Sequence, residues 1–130
     1  LGFDRRFLSF DAAQWIAQTL CANGITVWFM KRTAPTPLIM HTVMAQGLFY
    51  GVQVTASHNP SNYNGIKLIV QGGKDAQEDV TERLESMIEK AEREGRQPET
   101  MPFRRIPLWQ NGTPQFMHLA AWVLTVAGCK

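Results

Sequence analysis

The stretch Tyr50-Gly51-Val52-Gln53-Val54-Thr55-Ala56-Ser57-His58-Asn59-Pro60-Ser61-Asn62-Tyr63-Asn64-Gly65-Ile66-Lys67-Leu68-Ile69-Val70 decides how this chain folds. Tyr50 to Thr55 reads as a strand that delivers the chain to Ser57. A polar, turn-rich loop follows. Gly65 to Val70 reads as a second strand, with Ile66, Leu68 and Val70 on one face and Lys67 on the other. In an open α/β sheet, ligands gather outside the carboxyl ends of the strands, and this loop sits at such an end. Pro60 and Gly65 fix the loop's shape, while His58, Asn59 and Lys67 supply donors suited to a phosphate dianion. By composition alone, a serine-asparagine-proline loop is more often a plain turn, and Lys67 a solvated strand residue. Ser57 beside His58 does not make a hydrolase. Neighbours on one backbone rarely align as nucleophile and base, and the Gly-x-Ser-x-Gly elbow is absent.

On the N-terminal side, Leu1 to Leu8 suits a strand whose end presents Asp4, Arg5 and Arg6. Ser9 or Asp11 is expected to cap a helix, with Ala12, Trp15, Ile16, Thr19 and Leu20 on its buried face and Asn23-Gly24 ending it. Ile25 to Met30 is a short β-branched and aromatic run typical of a buried strand. Thr36-Pro37 starts a second helix, running to about Ala45 with Gly47 as its stop. On the C-terminal side, Gly72-Gly73 breaks the strand. A long helix follows from about Ala76 to Glu94, with Val80, Leu84, Met87, Ile88 and Ala91 on one side and Glu89 placed to pair with Arg93. Strands alternating with helices in this way indicate an α/β layered sheet, at least partly parallel. Pro98, Pro102, Pro107 and Pro114 interrupt regular structure after that, and Phe116 to Ala127 is a further apolar stretch.

A length of 130 residues suits one domain. The net charge of +2, spread along the chain, gives no footprint for nucleic acid; Arg104-Arg105 is the closest cluster. Cys21 and Cys129 match no metal spacing, and a reducing cytoplasm is the expected setting. No apolar run approaches membrane-spanning length. With no initiator methionine and a strand at its start, the chain reads as a piece of a longer protein.

Thr55-Ala56-Ser57-His58-Asn59-Pro60, continued by Tyr63-Asn64-Gly65-Ile66-Lys67, resembles the active-site signature of the α-D-phosphohexomutases, the phosphoglucomutase and phosphomannomutase family. Gly2-Phe3-Asp4-Arg5-Arg6-Phe7-Leu8-Ser9 is similar to that family's first-strand segment. Asn23-Gly24-Ile25 and Pro35-Thr36-Pro37 also fall in family positions. The resemblance covers roughly residues 1 to 95, in order. It implies the first domain of such an enzyme over 1–96, with 97–130 a divergent tail or linker. The implied fold is a three-layer α/β/α domain with a mixed, largely parallel sheet of about four strands.

For chemistry, the resemblance implies transfer of a phosphoryl group between the 1- and 6-positions of a hexose phosphate through a hexose 1,6-bisphosphate, with Ser57 as the phosphoryl carrier. Arg6 matches an arginine near the phosphoserine, and its fork of donors would stabilise phosphate charge. His58 would orient groups around the reacting oxygen. Lys67 matches a residue for proton transfer or for holding the phosphoserine, and Asn59 would shape the loop and the phosphate site. His41 and His118 have no family counterpart. The implied cofactors are Mg2+, held in this chain only through a phosphate on Ser57, and glucose 1,6-bisphosphate. The family's Asp-x-Asp-x-Asp-Arg metal loop and Gly-Glu-x-Ser-Gly-His sugar loop do not occur in this chain. The chain alone is therefore expected to be inactive, with the remaining mutase domains as its partners and self-association through the exposed interdomain face. The alternative is a truncated, non-catalytic relative serving as a binding module.

Overall fold

The strand pair on either side of the Ser57 loop forms as an antiparallel hairpin, β3 (Tyr50–Val54) with β4 (Ile66–Val70), in the register Tyr50↔Val70 through Val54↔Ile66. The computed structural model describes residues 1–103, 108–109 and 116–119. Arg104-Arg105, Cys129 and most of the Phe116 to Ala127 stretch lie outside the described residues. Around the hairpin stand β1 (Gly2–Phe3), α1 (Ser9–Ala22), β2 (Val27–Met30), α2 (Thr36–Ala45), β5 (Lys74–Asp75) and α3 (Glu78–Arg93), with β6 (Leu108–Trp109) and β7 (Phe116–Leu119) in the C-terminal part.

The central sheet has the order β1-β3-β4-β5. It is mixed: β1 pairs with β3 in parallel, while β4 and β5 return antiparallel. β2 runs beside β1, where the Leu1 amine donates to the Trp28 carbonyl at 2.6 Å and the Met30 amide to the Leu1 carbonyl at 3.0 Å. This is the slanted bonding of parallel neighbours. On its other side β2 pairs antiparallel with β7, which pairs with β6. The prolines that should interrupt regular structure thus flank two short strands among the described residues.

Alternation along β1 puts the helices on opposite faces, because successive strand residues point to opposite sides. Phe3 meets Phe10 of α1 with ring centroids 5.2 Å apart. The Cα of Gly2 faces Ile39 of α2 instead. The expected sheet of four strands with helices on both sides is what the chain forms. The α1 side is filled by an aromatic cluster in which Phe29 lies 5.7 Å from Phe3, 6.2 Å from Phe10 and 5.5 Å from Phe103. The Phe10–Phe29 and Phe29–Phe103 pairs are edge-to-face and Phe3–Phe29 is tilted, and such contacts add to the area they bury. Met101 and Phe103 pack against this core, and the Met101 amide donates to the Gln18 carbonyl. The packed unit therefore continues past Arg96 as far as residue 103.

Several sequence expectations shift in register. α1 fully buries Ser9, Ala13, Ala17 and Cys21, while Ala12, Ile16 and Leu20 of the expected stripe are partly buried and pack against the core. Trp15 is 58% exposed. Small side chains let the helix approach the sheet closely, and that outweighs the larger apolar stripe beside them. Ser9 and Asp11 do not cap the helix. Leu8 precedes it in the left-handed conformation with no side-chain cap, because the Ser9 hydroxyl is spent on Asp4. α2 begins at Thr36 with Pro37 in its first turn, as expected. In β4, Ile69, on the Lys67 face, is the fully buried residue, and Ile66 is exposed. α3 forms with acids in its first turn and bases in its last, which suits the helix dipole. None of its residues is buried, and Leu84, Met87 and Ile88 are all exposed. Arg93 bonds the Glu89 carbonyl oxygen rather than its carboxylate, and Glu94 takes the ion pairs, with Lys90 and Arg96.

Candidate active site

β3 ends at Val54, and the chain turns out of the sheet so that Ser57 sits exposed beyond the strand's carboxyl end. The Thr55 amide still bonds the Gly65 carbonyl at 2.9 Å, which closes the neck of the loop. Beyond it the Thr55 hydroxyl accepts from the Ser57 amide at 3.0 Å. Two tight turns follow, from the Asn59 amide to the Ala56 carbonyl and from the Tyr63 amide to the Pro60 carbonyl, each at 3.0 Å. Ser57 has φ 54°, in the left-handed region. For an L-residue other than Gly, Asn or Asp that conformation costs about 1–2 kcal/mol. Strain of this kind persists only where the surroundings over-determine it.

Those surroundings come from the β1–α1 connection. The Arg6 guanidinium inserts into the loop and donates from Nη1 to the carbonyls of Pro60 (2.6 Å) and Tyr63 (3.1 Å). From Nη2 it donates to the carbonyls of Ser57 and Asn59, both at 2.7 Å. Its Nε faces Asp4 Oδ2 at 3.2 Å. Asp4 Oδ1 accepts from the Arg6 amide at 2.9 Å and from the Ser9 hydroxyl at 2.7 Å. The Asn64 amide group bridges back, donating to the Phe7 carbonyl at 2.9 Å and to Ser9 Oγ at 3.0 Å.

The Asp4 carboxyl is pulled two ways. Burial raises its pKa, but hydrogen bonds from the Ser9 hydroxyl, the Arg6 amide and the Thr55 hydroxyl, together with the Arg6 charge, outweigh burial and hold it below the usual aspartate range. A carboxyl depressed in the folded state contributes stability that is complete above its unfolded value, about 3.9. That stability is lost as pH falls through the folded value. Asp4→Asn is therefore expected to lower stability at neutral pH by about 1.5–3 kcal/mol, the scale of hydrogen bonds to a charged group. It should also flatten the acid limb of the stability profile. Urea unfolding at stepped pH checks both, and an unchanged acid limb would show that Asp4 does not titrate with the fold.

The residues singled out from sequence divide into two groups. Ser57, His58, Asn59 and Arg6 meet in this loop. His58 Nδ1 lies 3.4 Å from Ser57 Oγ, a long contact. Asn59 contributes its carbonyl to Arg6. Arg6 bonds the loop's carbonyls rather than the serine hydroxyl. Lys67 stands apart on β4, its ammonium paired with Asp75 of β5 at 3.0 Å. Among the described residues no three His, Cys, Asp or Glu side chains converge to hold a metal. The loop from Thr55 to Gly65 carries no carboxylate. Among the described residues, the side-chain donor set by itself therefore does not fit a magnesium site. Sequence reasoning missed Asp4, Ser9 and Asn64 as parts of the site. Their signal was faint: a short acid beside two arginines, and one asparagine among several.

A strand-end serine on a loop held by an arginine from the connection after the neighbouring parallel strand marks this α/β domain. The family model "Phosphoglucomutase/phosphomannomutase, alpha/beta/alpha domain I" matches residues 1–95. The chain belongs to this family and carries its first domain. It is 38% identical over 90 residues to a phosphoglucomutase of Staphylococcus saprophyticus, covering 69% of this chain and 16% of that protein. It is 37% identical over 90 residues to a phosphoglucosamine mutase of Mesorhizobium japonicum, covering 69% of this chain and 20% of that protein. A phosphoglucomutase of Staphylococcus aureus is 37% identical over 87 residues, 67% of this chain and 16% of the relative. The chain thus spans a fifth or less of the length of these curated relatives.

Proposed function

We propose that this chain is the phosphoserine-bearing domain of a hexose-phosphate mutase, with Ser57 as the group that gives up and takes back the phosphoryl. The observation that carries the reading is the strained, exposed serine on a loop whose backbone is fixed from outside. Phosphoryl transfer needs alignment and charge neutralisation more than covalent help. In the forward step a sugar hydroxyl oxygen bonds to phosphorus, the P–Oγ bond of Ser57 breaks, and the proton lost by the sugar is balanced by one gained at Oγ. His58 Nδ1, near that oxygen, is the proposed group for orienting it. Lys67 is a proposed source of positive charge near the same end of the β3–β4 pair once it leaves Asp75. Asn59 shapes the loop. Mg2+ would meet this chain only through the phosphate on Ser57, and its other ligands would come from elsewhere in a full-length protein. The substrate class is a hexose phosphate, with a hexose 1,6-bisphosphate as intermediate, in carbohydrate metabolism in the cytoplasm. The chain alone would not complete the cycle.

The test is uptake of one phosphoryl group from glucose 1,6-bisphosphate, followed by mass spectrometry and localised by fragmentation. The expected result is modification at Ser57 alone; modification elsewhere, or none, would overturn the reading. A second reading, a non-catalytic interaction module, is favoured by one feature. The stripe Leu84, Met87, Ile88 on α3 is uncovered, and apolar patches of this kind mark contact surfaces. In a mutase, the remaining domains or a second copy of the chain would occupy it.

A further inference from the structure

The guanidinium of Arg6 has five N–H donors; the two terminal nitrogens make four hydrogen bonds to the loop, and Nε is turned to the Asp4 carboxylate as an ion pair. Four of the acceptors are main-chain carbonyls drawn from the short run Ser57 to Tyr63. Four carbonyl dipoles aimed at one point repel each other unless a cation sits there. The loop can close on itself only around this side chain. The arginine is well covered, its side chain 14% exposed, and its remaining edge is held by Asp4. No N–H is left over for a phosphate on Ser57 Oγ. What Arg6 does hold is the serine's own carbonyl, at 2.7 Å, on the residue whose backbone is in the left-handed conformation.

We propose that Arg6, braced by Asp4, is a positioning residue: it sets the backbone of Ser57 and so aims Oγ, and it does not grip the phosphoryl group itself. The proposal rests on the mutase reading above and assigns the arginine a role within it. Lysine at this position keeps the charge but offers three donors from a single nitrogen, which cannot span four carbonyls and a carboxylate. Arg6→Lys therefore separates geometry from charge. Asp4→Asn, which keeps the arginine but loosens its brace, gives a milder change in the same direction.

The experiment compares wild type, Arg6→Lys and Asp4→Asn by two measurements. Amide hydrogen exchange is read over residues 55–65 against the β3 and β4 core. The rate of phosphoryl uptake at Ser57 is followed over a range of glucose 1,6-bisphosphate concentrations. In Arg6→Lys the loop should exchange about tenfold faster or more while the core stays protected. Its maximal labelling rate should fall about a hundredfold, the usual scale for a misplacement near 1 Å, with half-saturation nearly unchanged. Asp4→Asn should show smaller losses of both kinds. The proposal is overturned if loop exchange in Arg6→Lys matches wild type. It is also overturned if half-saturation rises while the maximal rate holds, for that marks direct binding of phosphate. If the wild-type chain takes no label at all, the mutase reading fails, and exchange alone then decides whether Arg6 holds the loop.

Discussion

Ser57→Gly is expected to give a chain that is more stable than wild type and unable to take up phosphate. Ser57 has φ 54°, which costs a residue bearing a Cβ about 1–2 kcal/mol. Glycine relieves that strain but loses more backbone entropy on folding, about 0.5–1 kcal/mol. The net gain is about 0.5–1 kcal/mol. Little else is lost, because the serine is exposed and its hydroxyl has only the long contact to His58. Ser57→Ala is the companion: it keeps the strain, so stability stays near wild type while labelling disappears. Urea unfolding and mass spectrometry with glucose 1,6-bisphosphate measure the two effects together. A destabilised Ser57→Gly would mean that the left-handed backbone is not a cost, and persistence of label in either variant would move the acceptor elsewhere. A site that becomes more stable when its function is removed holds strain for that function.

A large stability effect is expected at Gly2. A Cβ there would fall on Gln53 Oε1 and on two carbons of Ile39, Cδ1 at 2.5 Å and Cγ1 at 2.6 Å. Neither neighbour has room to retreat. Ile39 is in the core, and Gln53 is 1% exposed with its Nε2 committed to the Ala34 carbonyl at 2.9 Å. Its Oε1 already lacks a hydrogen bond. Gly2→Ala should therefore cost about 3 kcal/mol, the upper range for an overpacked core. For a domain of this size that lowers the midpoint of thermal unfolding by on the order of 10–20 °C. The damage should reach the Ser57 loop, since β1 leads directly to Asp4 and Arg6, and the Asp4 amide is tied to the Val54 carbonyl. Thermal unfolding monitored by circular dichroism checks the first effect, and exchange at residues 55–65 the second. A midpoint within a few degrees of wild type would show that α2 can shift to admit the methyl group.

Much of this architecture is legible along the chain because it is local. A proline in the first turn of α2 and a glycine after its end mark its limits at Thr36 and Ala45. β3 and β4 announce themselves through β-branched residues on either side of a turn-rich loop. The face of α1 is a different matter. Two stripes lie side by side on that helix, one of large apolar residues and one small, and only the sheet decides which of them is fully buried and which only partly. The small stripe wins because Ala13, Ala17 and Cys21 let the helix sit close to the aromatic cluster of Phe3, Phe10 and Phe29. α3 shows the reverse: its periodicity alone is enough to identify the helix, yet no described element covers its apolar side.

By itself the sequence pointed to the family, to the order of the helices and longer strands through α3, and to Ser57 as the residue on which the proposed chemistry turns. Each rests on residue types within a few positions of one another, where turn chemistry and side-chain periodicity act. The tertiary structure alone decided what holds that serine in shape. Arg6 reaches carbonyls 51 to 57 residues away, and Asn64 bonds Ser9 from a separation of 55. No local pattern encodes such pairings, because they exist only once β1 has docked beside β3 and brought Asp4 and Arg6 against the loop.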